Sequence, residues 1–176
     1  MAWNPWVWLR RLRPVAGALA LALAAPAWAA DEADLKAAIV FNLLMFADWP
    51  AAAQPAPGAP WVLCIPPAHP AAAAFKPLQG RPLRGARLAL HAWPVAAGAP
   101  PCHAAFVGDA ETGEGEPRPT PGLLLISDAQ LPPRAAAIVL QPRDSKLVFS
   151  VNLGAARRAE LQLSAKLLRL AQGVQE

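Results

Sequence analysis

Two cysteines and two histidines carry the most reactive groups of the chain. Cys64 and His69 lie five residues apart, and Cys102 is followed directly by His103. Two thiolates and two imidazoles could hold a zinc ion, but the Cys64–His69 spacing matches no standard zinc finger. A redox-active thiol pair is another possibility, although the usual Cys-x-x-Cys motif is missing. In an oxidising compartment, an even pair of cysteines most simply predicts one disulfide.

Other patterns that carry chemistry are missing from the sequence. No glycine-rich phosphate loop follows a strand-like run, and no Gly-x-Ser-x-Gly motif accompanies the three histidines. The carboxylates lie mostly in the first helical segment and in an acidic loop, so paired acid–base catalysis is not indicated. The sequence therefore predicts a non-enzymatic protein that needs no cofactor or metal and works by contact.

Residues 1–29 have the features of a Sec-type signal peptide. Three arginines precede the apolar run VAGALALALAAPAWA, which ends in the small-residue triplet Ala27-Trp28-Ala29. An uncleaved anchor is the alternative, but the run is shorter than the roughly 20 residues that span a bilayer. We therefore predict cleavage after Ala29, export, and no stable membrane insertion.

Removal of this segment changes the charge of the protein. Residues 30–176 keep thirteen of the sixteen Lys and Arg and all twelve Asp and Glu, so the net charge falls from +4 to +1. A nearly neutral chain gives no electrostatic reason to bind nucleic acid. The remaining length is normal for a single domain with its own core.

The predicted domain begins with a helix and continues with short strands. The segment DEADLKAAIVFNLLMFADWP (31–50) is apolar on nearly all sides, so its helix is buried on most sides or covered by a partner. A second helical segment lies between the first two of six strand-like runs, which are 61–65, 86–93, 104–108, 123–128, 136–140 and 146–151. Several runs are continuously apolar, as in strands covered on both faces. Residues 108–122 are predicted to be a disordered loop.

The end of the chain predicts a hairpin and then a helix. The short link between the last two runs favours an antiparallel hairpin, and Asn152 is a good N-cap for a following helix. Leu161 and Leu163 break the helical phase, which suggests a kink. The helix either docks on the sheet or binds a partner. We predict an α/β fold: a single domain with a mixed, mostly parallel sheet flanked by helices, an antiparallel hairpin near the C-terminus and a C-terminal helix.

Both ends of this domain resemble the YfiR-like family of periplasmic regulators. The opening motif K-A-a-x-x-x-N-F-x-x-F-x-x-W-P is matched by Lys36, Ala37, Asn42, Phe46, Trp49 and Pro50. The closing block is matched by Phe149, Asn152, Ala155, Ala156, Leu161, Leu163, Ser164, Lys166, Leu167, Leu168, Leu170 and Ala171. Cys64 and Cys102 are similar in placement to a cysteine pair of the family. Glu160 replaces a family glycine, so it either carries backbone strain or continues the helix.

The resemblance implies a periplasmic repressor. Such a protein binds the periplasmic sensor region of an inner-membrane diguanylate cyclase, or of a sensor kinase, and redox or envelope stress releases it. The candidate partner contacts are Lys36, Asn42, Phe46, Trp49, Pro50, Asn152, Arg157, Leu163, Ser164, Lys166, Leu167 and Leu168, and the candidate redox-sensitive disulfide joins Cys64 to Cys102. Asn42, Trp49 and Asn152 could equally have structural roles.

Two other functions remain open on the sequence alone. One is a small-molecule binding protein that serves a sensor kinase or receptor, with its crevice near Trp61 or Trp93. The other is a thiol oxidoreductase, for which the two cysteines would cycle. A homodimer is compatible with each of these functions.

Overall fold

The computed structural model describes residues 27–96, 98–111 and 118–176, with the side chains of these residues from 32 onward except Glu111. Within them the helices are α1 (Ala27–Phe46), α2 (Ala72–Phe75), α3 (Leu153–Arg158) and α4 (Ala165–Leu170). The strands are β1 (Ala47–Asp48), β2 (Trp61–Ile65), β3 (Pro82–Leu83), β4 (Ala86–Ala92), β5 (Ala104–Val107), β6 (Leu124–Ser127), β7 (Ile138–Arg143), β8 (Lys146–Asn152), β9 (Gln162–Leu163) and β10 (Gly173–Gln175).

Eight of these strands form one mixed sheet in the order β10-β8-β7-β6-β5-β2-β4-β3. Strands β4, β2, β5, β6 and β7 are mutually parallel, whereas β7 and β8 form an antiparallel hairpin. The predicted fold class is therefore confirmed. Numbered along the chain, the parallel strands have the order 2-1-3-4-5, and the direction of winding reverses between β2 and β5.

The continuously apolar strands bury both of their faces, as expected. Leu63 and Phe106 point to one face, where all four helices contribute to the core. Cys64 and Val107 point to the other face, which is covered by connecting segments that include Trp93. Because successive side chains of a strand alternate between faces, a strand covered on both sides needs apolar residues throughout.

The six predicted strands are found within three residues of their expected bounds, and the three predicted helices differ more from their expected bounds. The predicted second helix is a single turn, α2, followed by a 3-10 turn over 76–78. The first helix ends at Phe46, earlier than Pro50, because the next two residues form β1 and pair with β9.

The predicted C-terminal helix is divided in two. α3 ends at Arg158, and Glu160 has a left-handed φ of 58°. The chain then runs through β9 into α4 and ends in β10, which pairs in parallel with β8. Of the two outcomes considered for Glu160, the strained backbone is the one observed, at a cost of about 1–2 kcal/mol.

Two predictions fall largely outside the described residues. Residues 1–26 of the predicted signal peptide lie outside them, and α1 begins at Ala27, across the predicted cleavage site. Of the loop predicted to be disordered, residues 112–117 lie outside them, while Asp109–Glu111 form a 3-10 turn. No helix in the described part of the chain is both long and apolar enough to cross a membrane.

Candidate functional site

A crevice opens where the winding direction of the sheet reverses. His69 follows the carboxyl end of β2, Gly108 follows β5, and Asp128 follows β6. Glu32 and Lys36 of α1 form the opposite wall of this crevice, which has a volume of about 600 Å³. In parallel sheets, ligands bind at this position, because the strand ends diverge there.

Three charged or ionisable side chains form a connected network in the crevice. The Lys36 ammonium donates to Asp128 Oδ2 at 2.8 Å, and His69 Nε2 lies 3.0 Å from Asp128 Oδ1. Their side chains are 16%, 9% and 3% exposed in the order Lys36, Asp128, His69. Lys36 also donates to Glu32 Oε1 at 2.8 Å, and this carboxylate is 48% exposed. The network thus runs from a buried floor to an exposed mouth.

The backbone determines the tautomer of His69. The amide of Ala71 donates to His69 Nδ1 at 3.1 Å, so the proton of the neutral ring lies on Nε2 and is donated to Asp128. Both ring nitrogens are therefore occupied, and His69 has no nucleophile to activate. Ser127 is also engaged, since its hydroxyl accepts from the amide of Ala129 at 3.1 Å.

Gly108 is required by close approach to the imidazole. A Cβ at this position would lie 3.0 Å from His69 Nε2, which is closer than normal van der Waals contact. On its other side the imidazole packs on Phe106, with 4.7 Å between ring centroids. The residues after β2 and β5 thus hold His69 in one orientation.

The pKa values of Lys36 and Asp128 favour their charged forms. Burial alone would raise the pKa of Asp128, but its hydrogen bonds to His69 and Lys36 and the charge of Lys36 outweigh burial and lower that pKa. Burial alone would lower the pKa of Lys36, but Asp128 and Glu32 outweigh it and raise that pKa. Lys36 and Asp128 are therefore an ammonium and a carboxylate near neutral pH.

Of this network, sequence reasoning identified only Lys36, as a family-motif residue. The sequence offers His69 as a candidate metal ligand or base and gives no motif that includes Asp128. The available signal was their position directly after apolar strand-like runs, because parallel strands bring such residues to one edge. The crevice is not lined by Trp61 or Trp93, where the sequence had suggested a ligand site.

The predicted disulfide between Cys64 and Cys102 is confirmed, with 5.9 Å between the Cα atoms. It ties β2 to the segment before β5. Next to it, His103 accepts the Nε1 hydrogen of Trp49 at its carbonyl oxygen (3.0 Å) and the amide hydrogen of Val62 at Nδ1 (2.9 Å). Because both cysteines are bonded to each other, neither offers a thiolate for metal binding.

The two family-motif blocks meet in the small β1–β9 sheet. Ala47 is paired with Leu163, and the amide of Ser164 donates to the Phe46 carbonyl oxygen at 3.0 Å. Lys166 Nζ lies 5.0 Å from the centroid of the Phe46 ring. The two motif blocks, which lie at opposite ends of the domain in the sequence, are therefore neighbours in the fold.

Several motif residues have structural contacts. Asn152 caps α3 by accepting from the Ala155 amide at 2.8 Å, as predicted, and Ser164 caps α4 through the Leu167 amide at 3.2 Å. Trp49 is buried. Leu167 is buried too, and Pro50, Leu163 and Leu168 are partly buried, whereas Asn42, Arg157 and Lys166 are exposed.

One face of α1 remains uncovered in the isolated chain. We call it the α1 face; it comprises Leu35, Ala38, Asn42 and Met45, at steps of three and four residues. Leu35 and Met45 are each 46% exposed. The opposite side of the same helix is in the core, with Val40 and Leu44 buried. The α1 face is thus mostly apolar, with Asn42 as its polar member.

These features define a mixed α/β domain with a charged crevice at its switch point and an exposed apolar helix face. The chain belongs to the YfiR/HmsC-like family, whose model matches residues 33–172. The match includes both motif blocks, both cysteines and the crevice residues His69 and Asp128. No curated protein matches the chain significantly.

Proposed function

We propose that this protein is a periplasmic, non-catalytic regulator that binds the sensor region of an inner-membrane signalling protein and represses it. A diguanylate cyclase is the favoured partner, which would make cyclic di-GMP the signal under control. Membership in the YfiR/HmsC-like family supports this role. The disulfide fits an oxidising compartment, and the predicted signal peptide provides the route of export.

The exposed α1 face is the single observation that carries the proposal. Contiguous apolar side chains on the surface of a small domain commonly mark a protein contact. On α1 they belong to a helix whose other side is locked into the core, so the face is rigid before binding. A rigid surface loses little conformational entropy when a partner docks on it.

We propose that exposed residues of α4 extend this surface. α1 and α4 are packed against each other, and Leu170 of α4 is largely exposed. Lys166 lies over Phe46 at the end of α1. Among the candidate contacts, the exposed Asn42 and Lys166 are therefore proposed to touch the partner directly, whereas the buried Trp49 and Leu167 act by holding the surface in shape.

The proposal is tested by measuring binding to the periplasmic domains of membrane diguanylate cyclases and sensor kinases from the same genome. We expect Met45→Lys and Leu35→Lys to weaken binding at least tenfold, because each places a charge in an apolar contact. Leu131→Lys is the matched control, because Leu131 is 80% exposed and lies in the loop after β6, outside the α1 face.

The outcome in cells separates repression from mere binding. Deletion of the gene should raise the level of cyclic di-GMP. Expression of the wild-type chain or of Leu131→Lys should return it to the original level, whereas Met45→Lys should leave it raised. Wild-type affinity of both α1 variants for a partner domain would overturn the docking surface. Failure of all partner domains to bind would overturn the proposed function.

A second candidate function is reception of a small molecule for a sensor kinase or receptor. The crevice at the switch point favours it, because a volume of about 600 Å³ lies within the usual range of ligand pockets. Partner binding that requires an added ligand would distinguish this function from constitutive repression.

A further inference from the structure

We infer that the crevice binds a small organic monocarboxylate with an apolar body, whose carboxylate takes the place of Glu32 on the Lys36 ammonium. The inference concerns the isolated chain and does not depend on the identity of any protein partner. Failure of ligand binding would leave the docking proposal intact, and the reverse also holds.

The two carboxylates that hold Lys36 are not equivalent. Asp128 is 9% exposed and has its second oxygen on His69, so it is a permanent part of the floor. Glu32 is 48% exposed and pairs with Lys36 as an i,i+4 neighbour on one helix. Such surface pairs are weak, because the carboxylate is nearly as well solvated when it is released. Glu32 is therefore the exchangeable partner.

The exchange dictates the charge of the ligand. Lys36 stays cationic, and the release of Glu32 opens one position for a negatively charged oxygen at 2.8 Å from Nζ. Replacing one carboxylate with another leaves the local charge unchanged. A phosphate dianion would add negative charge close to Asp128 and Asp109, both of which line the crevice. A monocarboxylate is therefore favoured over a phosphate.

The walls of the crevice indicate that the uncharged part of the ligand is apolar. Most of the lining between the charged groups is apolar, and it is formed by Ala33, Pro70, Ala71, Ala110 and Pro142. Apolar groups of a ligand gain free energy when they leave water for such walls. Lys36 is the one cation in this lining, which suits a ligand with a single negatively charged end.

The test uses three probes that share one aromatic body and differ in charge: phenylacetate, phenylacetamide and phenethylamine. Binding to the full mature chain is followed by calorimetry and by NMR shifts of the Lys36, His69 and Gly108 signals. We expect phenylacetate to bind and the neutral amide to bind at least tenfold more weakly, because a charge-assisted hydrogen bond is replaced by a neutral one. Equal or tighter binding of the amide or the amine, or no binding of phenylacetate, would overturn the inference.

Substitutions of Lys36 and Glu32 test whether the ligand binds at Lys36. Lys36→Met should abolish phenylacetate binding, and Lys146→Met, at the exposed first residue of β8, is the matched control that should bind normally. Glu32→Gln should fold and bind phenylacetate about twofold more tightly, because it removes the competing carboxylate. If Lys36→Met does not fold, Glu32→Gln alone decides: unchanged or weaker binding would refute the exchange.

Discussion

Lys36 Nζ lies 2.8 Å from Asp128 Oδ2, and this contact joins the first helix of the domain to the carboxyl end of β6. The two residues are far apart in sequence and both are largely buried. The contact fixes the position of α1, which carries both the exposed α1 face and one wall of the crevice. The two proposed sites therefore share one structural support.

Loss of the Asp128 charge should destabilise the domain. Asp128→Asn keeps the shape but leaves the buried Lys36 and His69 without their anionic partner, so we expect the free energy of unfolding to fall by about 1–3 kcal/mol. Denaturant titration measures this change. Asp34→Asn, on the exposed side of α1, is the control and should stay within about 0.5 kcal/mol of the wild type. Equal stability of the two variants would contradict the role of Asp128.

The same contact should respond to acid. The pKa of Asp128 is lowered from 3.8 in the folded state, because its hydrogen bonds to His69 and Lys36 outweigh burial. The unfolded chain therefore takes up this proton at higher pH than the folded chain. The stabilisation is present above pH 3.8 and is lost as the pH falls through the folded value. We expect the stability difference between wild type and Asp128→Asn to shrink as the pH falls below about 3.8 in denaturant titrations. A difference that grows in acid would contradict this.

His103 should contribute a second acid-sensitive step. Burial lowers its pKa below 6.5, and its neutral Nδ1 accepts from the Val62 amide. The unfolded chain therefore binds a proton first, and stability falls as the pH drops below about 6.5. His103→Asn offers a neutral acceptor in place of Nδ1 and should lose less stability between pH 7 and pH 5. Asp128→Asn serves as the reference variant, because it keeps His103.

The disulfide should be a major source of stability. Cross-linking Cys64 to Cys102, 38 residues apart, is worth up to about 4 kcal/mol on the chain-entropy estimate. Reductant should lower the unfolding midpoint of the wild type, while a Cys64→Ala/Cys102→Ala variant should show a lowered midpoint that no longer depends on reductant. Wild-type stability of that variant would show that the link is dispensable.

Removing the capping Asn152 should cost more stability than removing the exposed Asn42. Asn152→Ala removes the acceptor for the Ala155 amide at the start of α3 and should cost about 1 kcal/mol. Asn42→Ala is the same exchange on the exposed side of α1 and should change stability little, since alanine is the better helix former. If Asn42 contacts the partner, its substitution should instead weaken partner binding, which the affinity assay reads directly.

The left-handed residue after α3 offers a stabilising substitution. Glu160 has a φ of 58°, and glycine adopts this conformation without steric cost, so Glu160→Gly should raise stability by up to about 1 kcal/mol. Arg157→Gly, within α3, is the control and should lower stability by about 1 kcal/mol. Thermal unfolding measures both, and a destabilised Glu160→Gly would contradict the strain.

Local patterns in the sequence were enough for much of the fold. The strands were predictable because a strand covered on both faces must be apolar at every position, which no amphipathic helix shares. The Asn152 cap was predictable because capping involves residues three apart. The division of the C-terminal helix was only suggested, because it depends on β9 pairing with β1, at the other end of the chain.

Residue types and short spacings were sufficient to predict the strands, the cap, the cysteine pair and the two motif blocks. The fold was needed to show that Lys36, His69 and Asp128 form one network and that Leu35 and Met45 face outward. The reason is physical: the charge network depends on how parallel strand ends and a helix meet in space. In a helix that is apolar on all sides, no periodicity tells the buried face from the exposed one.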